Sequence, residues 1–165
     1  MDYLWSPWRY SYLTARHKPE GCIFCLMTAA GDTAAGNEES FIVFRGAHNF
    51  VVLNRYPYTT GHLMIAPYRH VPDLAAVDEA TANELMALTR SAERHLRWLY
   101  RPEGLNVGMN IGASAGAGVA GHIHMHVLPR WTGDASFITT VGETRVLAEE
   151  LPVTWKRLKT EFEKA

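Results

Sequence analysis

Between residues 122 and 128 the chain alternates histidine with aliphatic side chains, reading His-Ile-His-Met-His-Val-Leu. Alternate residues of a β-strand point to opposite faces, so the pattern predicts a strand with its imidazoles on one face and apolar side chains on the other. The outer two histidines of such a strand lie roughly 13 Å apart. Because every buried imidazole needs a hydrogen-bond partner or a ligand, this row indicates a functional site.

The central histidine of the row, His124, is the candidate nucleophile. A neutral imidazole attacks phosphorus well near neutral pH when an acceptor holds its second nitrogen. The stretch from Gly112 to Gly121 contains only glycine, alanine, serine and valine. Small residues let backbone N–H groups approach an anion closely, although a plain flexible loop has the same composition. Its position just before the histidines favours phosphate binding.

The remaining patterns predict an α+β fold on a mainly antiparallel sheet of about five strands. Strands are predicted over residues 41–44, 49–54, 62–66, 105–111 and 122–128. Asp78 is expected to cap one long helix that runs to about Tyr100, because Leu85, Leu88, Thr89, Ala92, Leu96 and Leu99 recur at helical spacing. A last helix from Pro152 to Phe162 belongs to a C-terminal helical segment assigned to residues 146–164. Residues 29–40 are expected to form a surface loop.

Length and charge limit the classes of protein that fit. With 165 residues and 47% hydrophobic composition, we expect one domain, residues 1–165, with an aromatic N-terminal arm over 1–20 and a core over 22–140. The arm is expected to pack on the body or across a subunit interface. A net charge of -1 argues against a nucleic acid polymer as partner. Without a signal peptide or a long apolar run, the protein is expected to be cytoplasmic, with no membrane partner.

The two cysteines of the chain form a Cys-x-x-Cys pair, Cys22 and Cys25. The spacing alone is compatible with zinc, with a redox couple or with two small apolar residues. A tetrahedral zinc site needs four ligands, so histidines or carboxylates would have to supply the other two.

Together these motifs resemble the histidine triad family, whose pattern is His-φ-His-φ-His-φ-φ with φ apolar. The likeness extends to the cysteine pair, to the stretch from Leu53 to His62 and to Pro129-Arg130-Trp131 with Gly133-Asp134. It covers roughly residues 22 to 140. The resemblance implies a HIT-like fold and a nucleotidyl hydrolase or transferase, usually a homodimer, that forms a covalent nucleotidyl-histidine on His124.

The resemblance also implies how a nucleotide would be held. Asn54 would hold the ribose hydroxyls, His126 would contact the α-phosphate, and His62 would help to line the site. The full set of implied nucleotide-binding residues is Asn54, His62, Asn110, Gly116, Ala117, Gly118, Val119 and His126. Where many relatives place a glutamine or serine before the triad, this chain has Gly118, so Ser114 or a backbone amide would assist the leaving group.

A structural zinc follows from the same likeness. His70 and His122 stand where zinc-containing relatives place their ligands, so the implied site is Cys22, Cys25, His70 and His122. Such a metal would tie the N-terminal segment to the triad strand and need not touch the substrate.

The stretch from Pro129 to Ile138 most resembles bacterial dinucleoside tetraphosphate phosphorylases and fragile-histidine-type hydrolases. The first hypothesis is therefore cleavage of diadenosine tetraphosphate or triphosphate, with water or phosphate as the acceptor; the sequence leaves that choice open. The alternatives are a nucleoside phosphoramidate hydrolase and a non-catalytic, zinc-stapled nucleotide-binding module.

Overall fold

The computed structural model of the chain describes residues 21–29, 31–142, 144 and 146–164. The expected aromatic arm, residues 1–20, lies outside the described residues. No helix among the described residues is long and apolar enough to cross a lipid bilayer.

An antiparallel sheet organises the chain in the order β1-β2-β3-β5-β4. Its strands are β1 (Ile42–Arg45), β2 (Asn49–Leu53), β3 (Leu63–Pro67), β4 (Gly104–Gly108) and β5 (Met125–Arg130). The helices are α1 (Ile23–Ala29), α2 (Ala34–Ser40), α3 (Glu79–Tyr100), α4 (Phe137–Val141) and α5 (Leu151–Phe162). Short 3-10 turns occur at Leu74–Ala76 and Ala113–Ala115. The predicted α+β fold and strand number are confirmed.

The two faces of the sheet pack against different elements. On one face, side chains of β2, β3 and β5 form a cluster with α3 and α5; its buried members include Val51, Ile65, Val127, Leu96 and Leu158. On the other face, Phe50, Val52, Met64 and Ala66 pack against Phe24 of α1. Neighbouring residues along a strand alternate between these two clusters. Both faces of β2 and β3 are therefore covered, and these strands are buried along their whole length.

The long helix predicted from the sequence is present as α3. Asp78 caps α3, and its carboxylate accepts a hydrogen bond from the Thr81 backbone N–H at 2.9 Å. The residues predicted to face the core are buried except Leu99, which packs partly buried at the edge of the cluster. The helix ends where Arg101 adopts a left-handed conformation with φ of 45°.

The expected loop over residues 29–40 is wrong in part, because α2 occupies its second half. Thr33 caps this helix by accepting a hydrogen bond from the Gly36 backbone N–H at 3.0 Å. Asn37 then fixes the helix to the sheet, since its Oδ1 accepts a bond from Arg45 Nε at 2.9 Å. The last helix begins at Leu151, so residues 146–150 of the assigned C-terminal segment are not helical.

The predicted triad strand starts later than expected. Regular pairing of β5 begins at Met125, because the backbone N–H of Ile123 donates to the Val71 carbonyl at 2.8 Å instead of to β3. This also shortens β4, which was predicted to reach Ile111. Gly108 is the last β4 residue, opposite His126, and the segment preceding Met125 has left the ladder.

The β1–β2 turn is held by a single carboxylate from α3. Glu84 accepts hydrogen bonds from the backbone N–H groups of Ala47, His48 and Asn49, each at 2.7 Å, and from Asn49 Nδ2 at 2.9 Å. A Cβ at position 46 would lie 2.8 Å from Glu84 Oε1 and 3.0 Å from the Asn49 carbonyl oxygen, so a larger residue there would displace this carboxylate. Burial raises the pKa of Glu84, but the hydrogen bonds outweigh burial and leave the pKa below its ordinary value.

We expect Glu84→Gln to lower the free energy of unfolding by about 2 kcal/mol at pH 7. Both oxygens of Glu84 accept hydrogen bonds from backbone N–H groups, whereas the NH2 group of glutamine would face one set of these donors without accepting from them. A depressed folded-state pKa stabilises the protein above the unfolded pKa, about 4.3, and that contribution is lost as pH falls through the folded value. The gap between wild type and variant, measured by urea unfolding, should therefore narrow below about pH 4. The control Glu93→Gln, in an exposed ion pair with Arg97, should cost less than about 1 kcal/mol. Equal costs for both substitutions would contradict this account of the turn.

Candidate active site and metal cluster

The three histidines of the row are buried on the α1 side of the sheet, with exposed fractions of 1% for His122, 5% for His124 and 9% for His126. The imidazoles of His124 and His126 meet edge to face, with centroids 4.8 Å apart. Met125 and Val127 point the other way, into the cluster beneath α3. The predicted alternation of faces is therefore confirmed, even though the regular strand begins only at Met125.

The tautomer of His124 is assigned by its one hydrogen-bond partner among the described residues. Its Nδ1 lies 2.9 Å from the carbonyl oxygen of His122, an atom that can only accept. Nδ1 therefore carries the proton and donates it, which leaves the lone pair on Nε2. Burial lowers the pKa of His124, although the bond to the His122 carbonyl acts in the opposite direction. Near neutral pH the ring is a neutral imidazole with a nucleophilic Nε2.

His126 is oriented by a second chain of hydrogen bonds. The Tyr58 backbone N–H donates to His62 Nδ1 at 3.2 Å, so the proton of the neutral His62 ring is assigned to Nε2. That Nε2–H donates to His126 Nδ1 at 2.9 Å. His126 therefore carries its own proton on Nε2, available to an oxygen of a bound phosphate. Burial first, and then the neighbouring His124, lower the pKa of His126 to about 4, so His126 is a neutral donor.

The other nucleotide-binding residues implied by the resemblance lie at varying distances from this pair. Asn54 Nδ2 is 3.2 Å from His62 Nδ1, which joins Asn54 to the histidine chain. Val119 packs against the Phe24 cluster and accepts a bond from the His122 backbone N–H at 3.3 Å. Asn110 is half-buried beyond β4 and forms no side-chain hydrogen bond with the described residues. Gly116, Ala117 and Gly118 follow the 3-10 turn, and Gly116 has a φ of 87°.

The metal ligands implied by the resemblance form a compact cluster. The donor atoms of Cys22, Cys25, His70 and His122 all lie within 4.8 Å of one another. Cys22 Sγ is 3.2 Å and Cys25 Sγ is 3.7 Å from His122 Nδ1, and Cys25 Sγ is 3.5 Å from His70 Nδ1. Bonds of about 2.3 Å to sulfur and 2.0 Å to nitrogen at tetrahedral angles give separations of about 3.5 Å. The donor set therefore fits a tetrahedral metal ion.

The tautomer of His122 suits the same role. Its Nε2 donates to the Pro67 carbonyl at 2.8 Å, so its Nδ1 keeps a lone pair that faces the two sulfur atoms. Metal-bound histidines commonly donate their other ring N–H to a backbone carbonyl in this way.

Two residues that the sequence reasoning did not single out also belong to the site. Phe24 is 1% exposed, and its ring centroid lies 5.2 Å from that of His122 and 5.0 Å from that of His124. Tyr58 stacks on His126, with centroids 6.1 Å apart and an interplanar angle of 25°. The position of Phe24 between Cys22 and Cys25 is the one sequence signal that could have singled it out. No comparable signal marks Tyr58.

A cavity of about 710 Å³ lies next to the site along β5; Tyr58 belongs to both, but none of the three triad histidines lines the cavity. Tyr58, Leu128 and Arg130 contribute to its lining, and the last two follow His126 at alternate positions on the same face of the strand. Asp134 forms an ion pair with Arg130 through contacts of 2.6 and 2.7 Å, and its negative charge compensates the positive charge of the guanidinium. The cavity volume falls within the usual range for small-molecule sites.

The chain is similar to known proteins in both sequence and structure. A family model described as HIT domain matches residues 35–133. A protein of Mycobacterium tuberculosis (strain ATCC 25618 / H37Rv) named AP-4-A phosphorylase is 40% identical over 162 residues, covering 96% of this chain and 83% of that protein. The crystal structure of a Zn-bound histidine triad family protein from Mycobacterium smegmatis has a TM-score of 0.68 at 25% identity, covering 87% of this chain and 94% of its own. A diadenosine triphosphate hydrolase of Plasmodium falciparum shares the fold alone, with a TM-score of 0.63 at 12% identity over 87% of this chain and 98% of its own.

Nitrogen-15 NMR of the imidazoles tests the tautomers directly. We expect His124 to carry its proton on Nδ1, because the His122 carbonyl accepts it. His62 and His126 should carry theirs on Nε2, because the Tyr58 backbone N–H fixes the tautomer of His62, and His62 fixes that of His126. In His62→Phe the His126 ring should populate both tautomers while His124 stays unchanged. A proton on Nε2 of His124 in the wild-type protein would contradict the assignment of the nucleophile.

Proposed function

Because the chain belongs to the histidine triad (HIT) family, we propose that it cleaves dinucleoside polyphosphates through a nucleotidyl group carried on His124. One observation carries the proposal: the buried, neutral His124 donates its Nδ1 proton to a carbonyl and thereby keeps its Nε2 lone pair for attack. The neighbouring His126 supplies an N–H donor next to that nucleophile.

In the first step Nε2 of His124 attacks the α-phosphorus of the substrate. The P–N bond forms, and the bond from this phosphorus to the bridging oxygen breaks, with its electron pair leaving on the departing nucleotide. The Nδ1 proton stays on the ring, where the His122 carbonyl stabilises the positive charge of the adduct. The Nε2–H of His126 stabilises the charge on the non-bridging oxygens.

In the second step an oxygen of the acceptor attacks the same phosphorus, and the P–N electron pair returns to His124 Nε2. Inorganic phosphate as acceptor converts diadenosine tetraphosphate to ADP and ATP, whereas water yields AMP and ATP. The acceptor proton is lost to solvent, because His124 is neutral again with Nδ1 protonated.

Two observations support a dinucleoside polyphosphate as the substrate. The relative from Mycobacterium tuberculosis carries the name AP-4-A phosphorylase and aligns with almost the whole chain. The cavity beyond His126 offers room for the departing half of a long substrate, whereas a phosphoramidate with a small leaving group would not fill it. Phosphate is therefore the favoured acceptor, with water as the alternative.

Product analysis with diadenosine tetraphosphate tests the proposal. We expect ADP and ATP in equal amounts when inorganic phosphate is present, and little turnover without it. Production of AMP and ATP regardless of phosphate would identify a hydrolase. Tight binding without products would contradict enzymatic function and favour a nucleotide-binding module.

The matched variants for this assay are His124→Ala and His48→Ala. His124→Ala should lower turnover by about a thousandfold or more, since it removes the nucleophile, but should change nucleotide affinity by less than about tenfold. His48→Ala removes an exposed imidazole from the β1–β2 turn and should retain wild-type turnover. Appreciable activity in His124→Ala would disprove the covalent route through this residue.

The proposal includes a structural zinc held by Cys22, Cys25, His70 and His122. The spacing of these residues and the tautomer of His122 support it, as does the likeness to a Zn-bound family member. When bound, the metal supplies cross-linking between α1 and the triad segment, and four protein ligands leave no position for substrate. A cytoplasmic location, where thiols stay reduced, suits these two free cysteines.

Elemental analysis tests the metal site. We expect about one zinc per chain in the wild-type protein, and its loss in Cys22→Ser and in His70→Ala with a melting temperature lowered by several degrees. His48→Ala again serves as the control and should keep both the zinc and the melting temperature. Wild-type stability in Cys22→Ser, or no stoichiometric zinc in the wild type, would contradict the four-ligand site.

A homodimer also belongs to the proposal, and the free edge of β4 supports it. In the described sheet β4 pairs only with β5, which leaves one row of its backbone groups without a strand partner. Two apolar side chains in this part of the sequence are exposed: Val107 of β4 is 48% exposed, and Trp98, near the end of α3, is 72% exposed. A molecular mass of one chain by sedimentation equilibrium at micromolar concentration would disprove the dimer.

A further inference from the structure

Helix α1 places one aromatic ring between the metal cluster and the nucleophile. Cys22 precedes this short helix and Cys25 lies in its first turn, and both sulfur atoms face His122. Phe24, between them in sequence, is the one fully buried side chain of α1. Its ring points toward the sheet, against His122, His124 and Phe50.

Among the described residues, one hydrogen bond and two aromatic contacts fix the ring of His124. The bond from Nδ1 to the His122 carbonyl holds one edge of the ring, and His126 meets the ring edge to face. The other aromatic contact is with Phe24, whose plane is tilted by 46° to the imidazole at 5.0 Å. An imidazole held by one hydrogen bond can still rock about that bond, so the ring of Phe24 limits the direction in which Nε2 points.

We propose that Phe24 is a positioning residue for His124, through which the cysteine and histidine cluster sets the rate of the first chemical step. The inference rests on the proposed function. The cluster holds α1 at both sides of Phe24, and Phe24 in turn holds the plane of the nucleophilic imidazole. The cluster of Cys22, Cys25, His70 and His122 therefore helps to fix the orientation of Nε2 and also stabilises the fold.

The chemistry of in-line attack makes such an effect measurable. Nε2 has to approach the α-phosphorus opposite the leaving oxygen, and a misplacement of about 1 Å costs up to roughly a hundredfold in rate. Phe24 has no polar atom with which to bind a metal ion or to take part in the reaction. Its loss should therefore slow formation of the nucleotidyl-histidine while leaving substrate affinity nearly unchanged.

Single-turnover kinetics with diadenosine tetraphosphate tests this inference. We expect Phe24→Leu to slow adduct formation by about tenfold or more, to bind a non-cleavable methylene-bridged analogue within about threefold of wild type, and to retain one zinc. The matched control is Phe44→Leu, which removes the same atoms from the face of the sheet that packs against α3 and α5. The Phe44 ring contacts Phe162 and, among the described residues, neither Phe24 nor any of the three triad rings, so its variant should form adduct within about twofold of wild type.

Removal of the metal completes a thermodynamic cycle. Chelation of zinc should slow adduct formation in the wild type by about the same factor as Phe24→Leu, but should slow the variant by no more than a further twofold, because both changes release the same ring. NMR gives a readout independent of activity. The His124 ring protons should lose the ring-current shift of Phe24 both on chelation and in the more conservative variant Phe24→Met.

The outcomes separate this inference from the proposed function. If the wild type forms no adduct, the proposed function is wrong and this inference with it. If the wild type forms adduct, equal rates in Phe24→Leu and Phe44→Leu would overturn the positioning role alone. Loss of zinc from Phe24→Leu, or analogue affinity that falls as much as the rate, would reduce Phe24 to a packing or binding residue. Should Phe24→Leu not fold, an unshifted rate and spectrum in Phe24→Met would overturn the inference equally.

Discussion

The hydrogen bond from His124 Nδ1 to the carbonyl oxygen of His122 is the contact on which the site depends. It decides which nitrogen of a buried imidazole keeps a lone pair, and an isolated histidine would populate both tautomers. The acceptor lies in the backbone two residues earlier in the triad segment, so the proposed nucleophile is oriented by its own part of the chain. Burial keeps that ring neutral, because it lowers the pKa of His124, and a neutral ring is the reactive form.

His122 connects this bond to the rest of the molecule. Its Nε2 is anchored on the Pro67 carbonyl at the end of β3, and its Nδ1 faces the sulfur atoms of Cys22 and Cys25. The neighbouring Ile123 leaves the sheet ladder to bond with Val71. The triad segment is thus held by the sheet, by the segment after β3 and by α1. These elements all contact His122 or Ile123, which explains how a short segment outside regular pairing keeps a defined geometry.

Local patterns predicted the elements whose causes are local. The α3 helix followed from apolar spacing and from the Asp78 cap, and the common face of the three histidines followed from strand alternation. The four metal ligands came from the family resemblance, and the geometry of the cluster agrees with it. His124 was predicted as the nucleophile from its central place in the histidine row, and the resemblance implies the same role. Contacts between distant parts of the chain decided the rest. The late start of β5 depends on Val71, the tautomer of His126 depends on His62, and the contact of Phe24 with His124 joins residues about a hundred positions apart.

The stereochemical course at the α-phosphorus tests the covalent route most directly. A substrate made chiral there by one sulfur atom, cleaved with phosphate as acceptor, yields a thio-substituted ADP whose configuration phosphorus NMR can assign. If water is the acceptor, isotopically labelled oxygen gives the same information. Two successive in-line displacements, onto His124 Nε2 and then onto the acceptor, invert the centre twice, so the account predicts net retention of configuration. Net inversion would mean a single direct displacement, and His124 would not carry the nucleotidyl group.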